Sequence, residues 1–205
     1  GITASTTPLY LPGFVLLVVV GITAVLHRME ISDLTEAMKS STKVLVGAGI
    51  VLVFTVPMVR VYINSDVNGL DIVSMPLAMA EWVAQNVGQV WPFFAGVTGA
   101  LGAFIAGSNT VSNLTFAAFQ YGVAERLAMS TVMIVSLQAV GAAAGNMIAI
   151  HNVVAASATV GLLGKEGDTL RKTILPTIYY LLVLGVLGLL AIHVLGVTDP
   201  LMGSG

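Results

Sequence analysis

The chain of 205 residues is 57% hydrophobic and only 9% charged, whereas soluble domains carry about 25% charged residues. Its mean hydropathy of +0.96 indicates that lipid is the surrounding solvent. The absence of cysteine excludes disulfides, a thiolate nucleophile and cysteine-based metal sites, and a net charge of −2 leaves no basic patch for nucleic acid. We therefore expect an all-α membrane protein, a polytopic helical bundle with roughly four to six passes of about 20 residues each.

Two membrane spans are predicted in the first third of the chain, at residues 9–26 and 44–63. Residues 27–43 between them mix both signs of charge at helical spacing, which indicates a surface helix or a loop. Arg60 lies within one turn of the exit of the second span, where snorkelling to water is favoured over substrate binding. Residues 70–88 follow as an interfacial segment, and we group residues 1–89 as scaffold-like helices.

The next stretch predicts a helical hairpin at residues 90–124. It contains no Asp, Glu, Lys or Arg, but the polar run GSNTVSN at residues 107–113 interrupts it. Non-helical backbone deep in a membrane is tolerated only where it is buried in protein or lines a cavity. We therefore favour a re-entrant hairpin with a functional tip at residues 107–113, the alternative being a polar turn between two ordinary spans.

Residues 127–164 again contain no Asp, Glu, Lys or Arg. As one straight helix they would reach about 57 Å. This length predicts a broken span, with the break at residues 141–146. The spacing of Gly141 and Gly145 also predicts close helix packing. A charged loop at residues 165–172 and a last span at residues 173–195 complete the transport-like part, residues 90–205.

The basic residues predict the orientation of the chain. Most Lys and Arg lie at residues 27–43 and 165–172, so these two segments are expected to face the cytoplasm. An odd number of crossings must then separate the acidic outer segment at residues 64–81 from the second basic loop. A re-entrant hairpin plus one broken span satisfies this count, and so do three full crossings.

The helix ends that meet at the two interruptions would direct free N–H groups and a positive dipole at a small anion. At the tip, Ser108, Asn109 and Thr110 are the candidate substrate-binding residues. At the second interruption Asn146 and Asn152 add amides, and His151 is the candidate proton carrier because histidine titrates near neutral pH. A lone histidine of this kind can also simply donate a hydrogen bond to a neighbouring carbonyl.

The sequence lacks the short signatures of common enzymes, such as HExxH, GxSxG and the Walker loop, and has no paired carboxylates in its spans. We therefore expect a transporter segment that is not an enzyme and that uses no cofactor and no metal. A structural or channel-type membrane subunit is the alternative function.

Three segments resemble the L-lactate permease family: GSNTVSNLTFAAFQYGVAERL, LQAVGAAAGNMIAIHNVVAASATVGLLGKEG and TLRKTILPTIYYLLVLGVLGLL. The similarity covers about residues 90–195 and is looser before residue 90. It implies proton-coupled symport of lactate, glycolate or a similar 2-hydroxy monocarboxylate across the bacterial inner membrane. The wider ion-transporter superfamily implies inverted repeats, an elevator-like motion, a homodimer and Ser-Asn-Thr at hairpin tips, here Ser108, Asn109 and Thr110.

The length of the chain departs from the family resemblance. Family members are more than twice as long, and only one repeat's worth of elements is present. The chain also begins with Gly instead of Met. We therefore expect a fragment, the C-terminal half of a permease, whose partner is the missing N-terminal half. A half-size protein that pairs with itself or with another chain in the opposite orientation is the alternative.

Overall fold

The computed structural model describes residues 12–162 and 164–199, and every regular element within these ranges is helical. A 3₁₀ turn at Gly88–Val90 leads into the fourth helix, and a π-helical turn at Leu190–Val194 continues the last one. The helices are, in chain order, α1 (Pro12–Leu26), α2 (Ile31–Ile63), α3 (Met75–Asn86), α4 (Trp91–Ala106), α5 (Asn109–Arg126), α6 (Thr131–Gly145), α7 (Ile150–Thr159) and α8 (Glu166–Leu189).

Among the described residues, two helical stretches are long and apolar enough to cross a membrane, Gly88–Ala106 and Glu166–Val194. The pair α6 and α7 is bent by 46° at a short break and makes a third span when it is counted as one. Gly13–Leu26 and Val53–Ile63 are shorter apolar helices within the described residues. The prediction of an all-α membrane bundle is therefore confirmed. Residues 9–11 of the first predicted span lie outside the described residues.

The chain divides into two compact units, Gly1–Leu52 and Val53–Gly205. The described residues of the first unit form α1 and the first part of α2. The second holds the end of α2 together with α3–α8, so it begins well before residue 90, where the sequence analysis divided the chain. The helix α3 belongs to the second unit because its Leu77 and Ala80 lie directly against Gly122 of α5.

Helices α4 and α6 lie side by side in the same direction at very short range. A Cβ atom on Gly141 would overlap the backbone of Gly96, and one on Gly145 would overlap the backbone of Ala100. Only glycine at these two positions lets the helices approach so closely, since the contacts are to main-chain atoms that cannot swing away. The packing role predicted for the two glycines of α6 is therefore confirmed.

Helices α5 and α8 run opposite to this pair. Trp91 at the start of α4 stacks edge-on against Phe119 near the end of α5, with ring centroids 5.5 Å apart. A Cβ atom on Gly188 of α8 would lie 3.1 Å from Pro92 O, whereas one on Gly96 would lie 2.6 Å from Cδ2 of the earlier Leu184. A buried apolar cluster joins these helices to α3; it consists of Ala80, Val83, Trp91, Ala95, Phe119, Val123, Ala124, Met129, Ile134 and Leu137.

Three predicted details of the helices are wrong. Residues 166–172 form the start of α8 instead of a loop, because Glu166 and Asp168 in the first turn complement the positive end of the helix dipole. Residues 141–145 are helical, so the break in the span begins only after Gly145. Three consecutive alanines there favour the helix. The tip of the hairpin is also narrower than residues 107–113, because α5 begins at Asn109.

Candidate functional site

The hairpin turns at two residues, Gly107 and Ser108. Gly107 ends α4 in the left-handed region at φ 65°, and its N–H donates to Ala103 O at 2.8 Å. Ser108 is extended, and its Oγ accepts a hydrogen bond from Val111 N at 3.3 Å. The turn therefore combines a glycine at the end of one helix with a serine cap at the start of the next.

The start of α5 keeps free donors beyond this cap. The N–H groups of Asn109 and Thr110 have no protein acceptor among the described residues. Thr110 is exposed, and Asn113 Nδ2 donates to Asn109 Oδ1 at 2.9 Å. The other amide atom of that pair, Asn113 Oδ1, is buried without a hydrogen-bond partner. The first turn of α5 thus contains two free backbone donors and, one turn further on, a buried amide oxygen without a partner among the described residues.

The break between α6 and α7 covers residues 146–149. Asn152 Nδ2 donates to both the backbone oxygen and Oδ1 of Asn146, each at 3.3 Å, so the two candidate asparagines brace the break together. Ala149 O accepts from the N–H groups of Asn152 and Val153 at 3.0 Å. In the part of the chain that the structure describes, the N–H groups of Ile150 and His151 have no protein acceptor. The start of α7 is a second helix end with free donors.

The tip and the break meet at the same end of the bundle because α4 and α6 run parallel. The imidazole of His151 lies against Gly107, where a Cβ atom would be 2.5 Å from His151 Nδ1. The rest of His151 is exposed. The structure therefore brings His151 to the tip and Asn146 to Asn152. Among the described residues, no hydrogen bond links Ser108, Asn109 or Thr110 to either asparagine.

Two buried glutamines that the sequence analysis did not single out connect the hairpin to α6. Gln120 of α5 and Gln138 of α6 are both 0% exposed. Gln120 Nε2 donates to Gln138 Oε1 at 3.0 Å, and Gln138 Nε2 donates to Ser112 Oγ at 3.2 Å. A large amide inside an apolar run was the available signal, because such a group needs a partner in lipid.

A carboxylate caps α6 at the opposite end of the bundle. Asp199 accepts hydrogen bonds from Ser130 Oγ, from Thr131 Oγ1 at 2.6 Å, and from the N–H groups of Thr131 and Val132 at 2.9 and 3.1 Å. The hydroxyl groups of Ser130 and Thr131 lower the pKa of Asp199 to about 2, since they bind its ionised form. Asp199 thereby ties the segment after α8 to the start of α6.

The model of the L-lactate permease family matches residues 3–195. The chain belongs to that family. Relatives within it include the putative L-lactate permease of Haemophilus influenzae, 33% identical over 87% of this chain, and the L-lactate permease of Escherichia coli K12, 31% identical over 82%. A glycolate permease of Escherichia coli K12 is 31% identical over 55% of the chain and 20% of its own length.

The alignment with this chain covers only part of each relative. It spans 33% of the Haemophilus influenzae protein and 29% of the Escherichia coli lactate permease, so the chain spans about a third of the length of the relatives that it matches. No solved structure matches the chain.

Proposed function

We propose that this chain forms part of a secondary active transporter for a short 2-hydroxy monocarboxylate such as lactate or glycolate, driven by protons. The proposal rests on the contact between His151 and Gly107, which brings two interrupted helices together at one point. It is supported by the names of the relatives, which are L-lactate and glycolate permeases.

The chemistry of the two helix starts suits a carboxylate. The free N–H groups of Asn109 and Thr110 on α5, and those of Ile150 and His151 on α7, are donors at the positive ends of two helices. A carboxylate has two oxygens that accept such hydrogen bonds. The amide side chains of Asn109, Asn146 and Asn152 can both donate and accept, which suits the 2-hydroxyl group.

His151 is suited to carry the coupled proton. It lies at the junction of the two interruptions, and an imidazole exchanges a proton near neutral pH. A protonated His151 beside the tip would attract the carboxylate, and release of the proton on the other side of the membrane would favour release of the anion. Substrate and proton would in this way occupy the same site.

The remaining parts of the proposal concern the whole protein. We propose that the matching N-terminal region of such a permease supplies a second, inverted copy of these elements and completes the site. We further propose that the hairpin is re-entrant, that the protein lies in the bacterial inner membrane with residues 27–43 and 165–172 in the cytoplasm, and that two copies form a dimer. The clustering of Lys and Arg in those two segments supports the orientation.

Uptake of labelled lactate into vesicles that contain the full-length permease tests the function, with Asn109→Ala as the variant. Asn86→Ala is a matched control, because Asn86 is an exposed amide whose Nδ2, among the described residues, donates only to Trp82 O of its own helix, at 2.7 Å. We expect the Asn109→Ala permease to lose most of its lactate uptake although it is present in the membrane at the wild-type amount. The Asn86→Ala permease should retain its uptake. Equal uptake by both variants would remove Asn109 from the site, and failure of the wild-type protein to transport any 2-hydroxy acid would favour the structural or channel-type alternative.

A further inference from the structure

A continuous chain of hydrogen bonds crosses α4, α5 and α6 beneath the tip. It begins where Trp91 Nε1 donates to Gln120 Oε1 at 2.8 Å, and it ends where Ser112 Oγ donates to Gly99 O at 2.8 Å. Gln120 and Gln138 join these two ends, and Gln120 Nε2 also donates to Ala95 O at 3.2 Å. Every bond in this series donates in the same direction, from Trp91 towards Gly99, so each hydrogen bond polarises the next.

This chain is placed to orient the first turn of α5. Ser112, which accepts from Gln138, follows Ser108 by one helical turn. Asn113, the next residue, donates to Asn109. A rotation of α5 about its axis would break the bond between Gln138 and Ser112 and would shift Asn109 relative to the break between α6 and α7.

The three helices do not need these amides in order to associate. The glycine contacts between α4 and α6 and the apolar cluster around Phe119 and Ile134 already hold them together. Apolar packing leaves rotation of a helix comparatively free, whereas a buried amide permits only the orientation that satisfies it. We propose that Gln138, acting through Ser112, is a positioning residue that keeps the hairpin tip facing the break between α6 and α7. This role rests on the proposed transport function.

The test is lactate uptake by full-length permease carrying Gln138→Leu, Ser112→Ala or both, at equal amounts in the membrane. A positioning role predicts a KM raised about fivefold, on the scale of one lost hydrogen bond, with the maximal rate within about twofold of the wild type. The double variant should be no worse than Gln138→Leu, because both changes break the same bond. Gln85→Leu is the matched control, since Gln85 is exposed on α3 and its only hydrogen bond within the described part of the chain is from Nε2 to Glu81 Oε1, at 3.4 Å.

An unchanged KM for lactate in Gln138→Leu would overturn the proposal. So would a double variant whose increase in KM equals the product of the increases in the two single variants, because the two residues would then act independently. If Gln138→Leu does not reach the membrane, Ser112→Ala carries the test, because it removes a smaller side chain while breaking the same bond to Gln138 Nε2 and the bond from Ser112 Oγ to Gly99 O. We expect its KM to rise about twofold to fivefold.

A second readout separates this proposal from the transport function itself. Spin labels at Leu114→Cys on α5 and Val154→Cys on α7 report the relative position of the tip and the break without any transport. Both side chains are exposed. If wild-type permease carries no lactate, the transport function fails, while a distance distribution that broadens on Gln138→Leu still supports the positioning role. An unchanged distribution overturns it.

Discussion

His151 Nδ1 lies 2.5 Å from the place that a Cβ atom on Gly107 would occupy, although 44 positions separate the two residues in the sequence. Gly107 also has φ 65°, a left-handed conformation that side chains other than glycine rarely adopt. Gly107 thus ends α4 at the hairpin turn and also leaves room for the imidazole at its tip.

Replacement of Gly107 by alanine is expected to reduce lactate uptake at least about tenfold, because the change costs about 1–3 kcal/mol of backbone strain and also displaces His151. Gly88→Ala is the matched control. Gly88 has φ 61°, but no atom of the described residues lies within 4 Å of its hypothetical Cβ, so this variant carries the strain without the collision. Equal uptake by the two variants would show that the contact with His151 does not matter.

His151→Gln is expected to separate exchange from accumulation. Glutamine keeps a hydrogen-bonding side chain but cannot carry a proton at neutral pH. Vesicles with this variant should still exchange internal for external lactate, but they should not accumulate lactate against its gradient when a pH gradient is applied. His193→Gln is the control, because His193 lies at the other end of the bundle with its Nε2 2.8 Å from Gln89 O. Full accumulation by His151→Gln would exclude His151 as the proton carrier.

The spacing between α4 and α6 depends on Gly145. Gly145→Ala places a methyl group against the backbone of Ala100 and is expected to destabilise the purified protein by about 1–3 kcal/mol, seen as a lower Tm in detergent. Gly167→Ala is the control, because Gly167 lies in the first turn of α8 with open space around it. That variant should keep the Tm or raise it, since alanine favours a helix. A Tm that is unchanged in Gly145→Ala would contradict the close packing.

The cap that Asp199 forms on α6 should make the stability of the protein depend on pH under acidic conditions. The folded-state pKa of Asp199 is lowered from 3.8 to about 2, so its stabilising effect is complete above about pH 4 and is lost as the pH falls towards 2. Asp199→Asn should therefore lower the Tm at pH 6, and the difference from the wild type should shrink between pH 4 and pH 2. A difference that stays constant over this range would show that the charge of Asp199 does not stabilise the cap.

The sequence was sufficient to predict the helical membrane fold and the position of the hairpin turn. An uncharged stretch interrupted by Gly107 and Ser108 favours two helices joined by a short turn, because backbone polar groups in lipid must be hydrogen-bonded. The width of the turn was overestimated, since Asn109 and Thr110 look like loop residues but lie in the first turn of α5 behind a serine cap.

The long-range contacts could not be predicted from local patterns. Nothing in the composition of α4 shows that it runs parallel to α6, and that arrangement is what brings His151 to Gly107. The bond between Gln120 and Gln138 likewise depends on the rotation of two helices about their axes. The roles of Ser108, Asn109, Thr110, Asn146, His151 and Asn152 in transport stay predictions.

The most direct test of the central claim is the rate at which a thiol reagent modifies Thr110→Cys in full-length permease with no other cysteine. Thr110 is exposed at the tip, and this segment contains no cysteine of its own. If the tip and the break form the carboxylate site, lactate should slow the modification at least severalfold relative to chloride at equal ionic strength. Equal rates in lactate and chloride would contradict the proposed site.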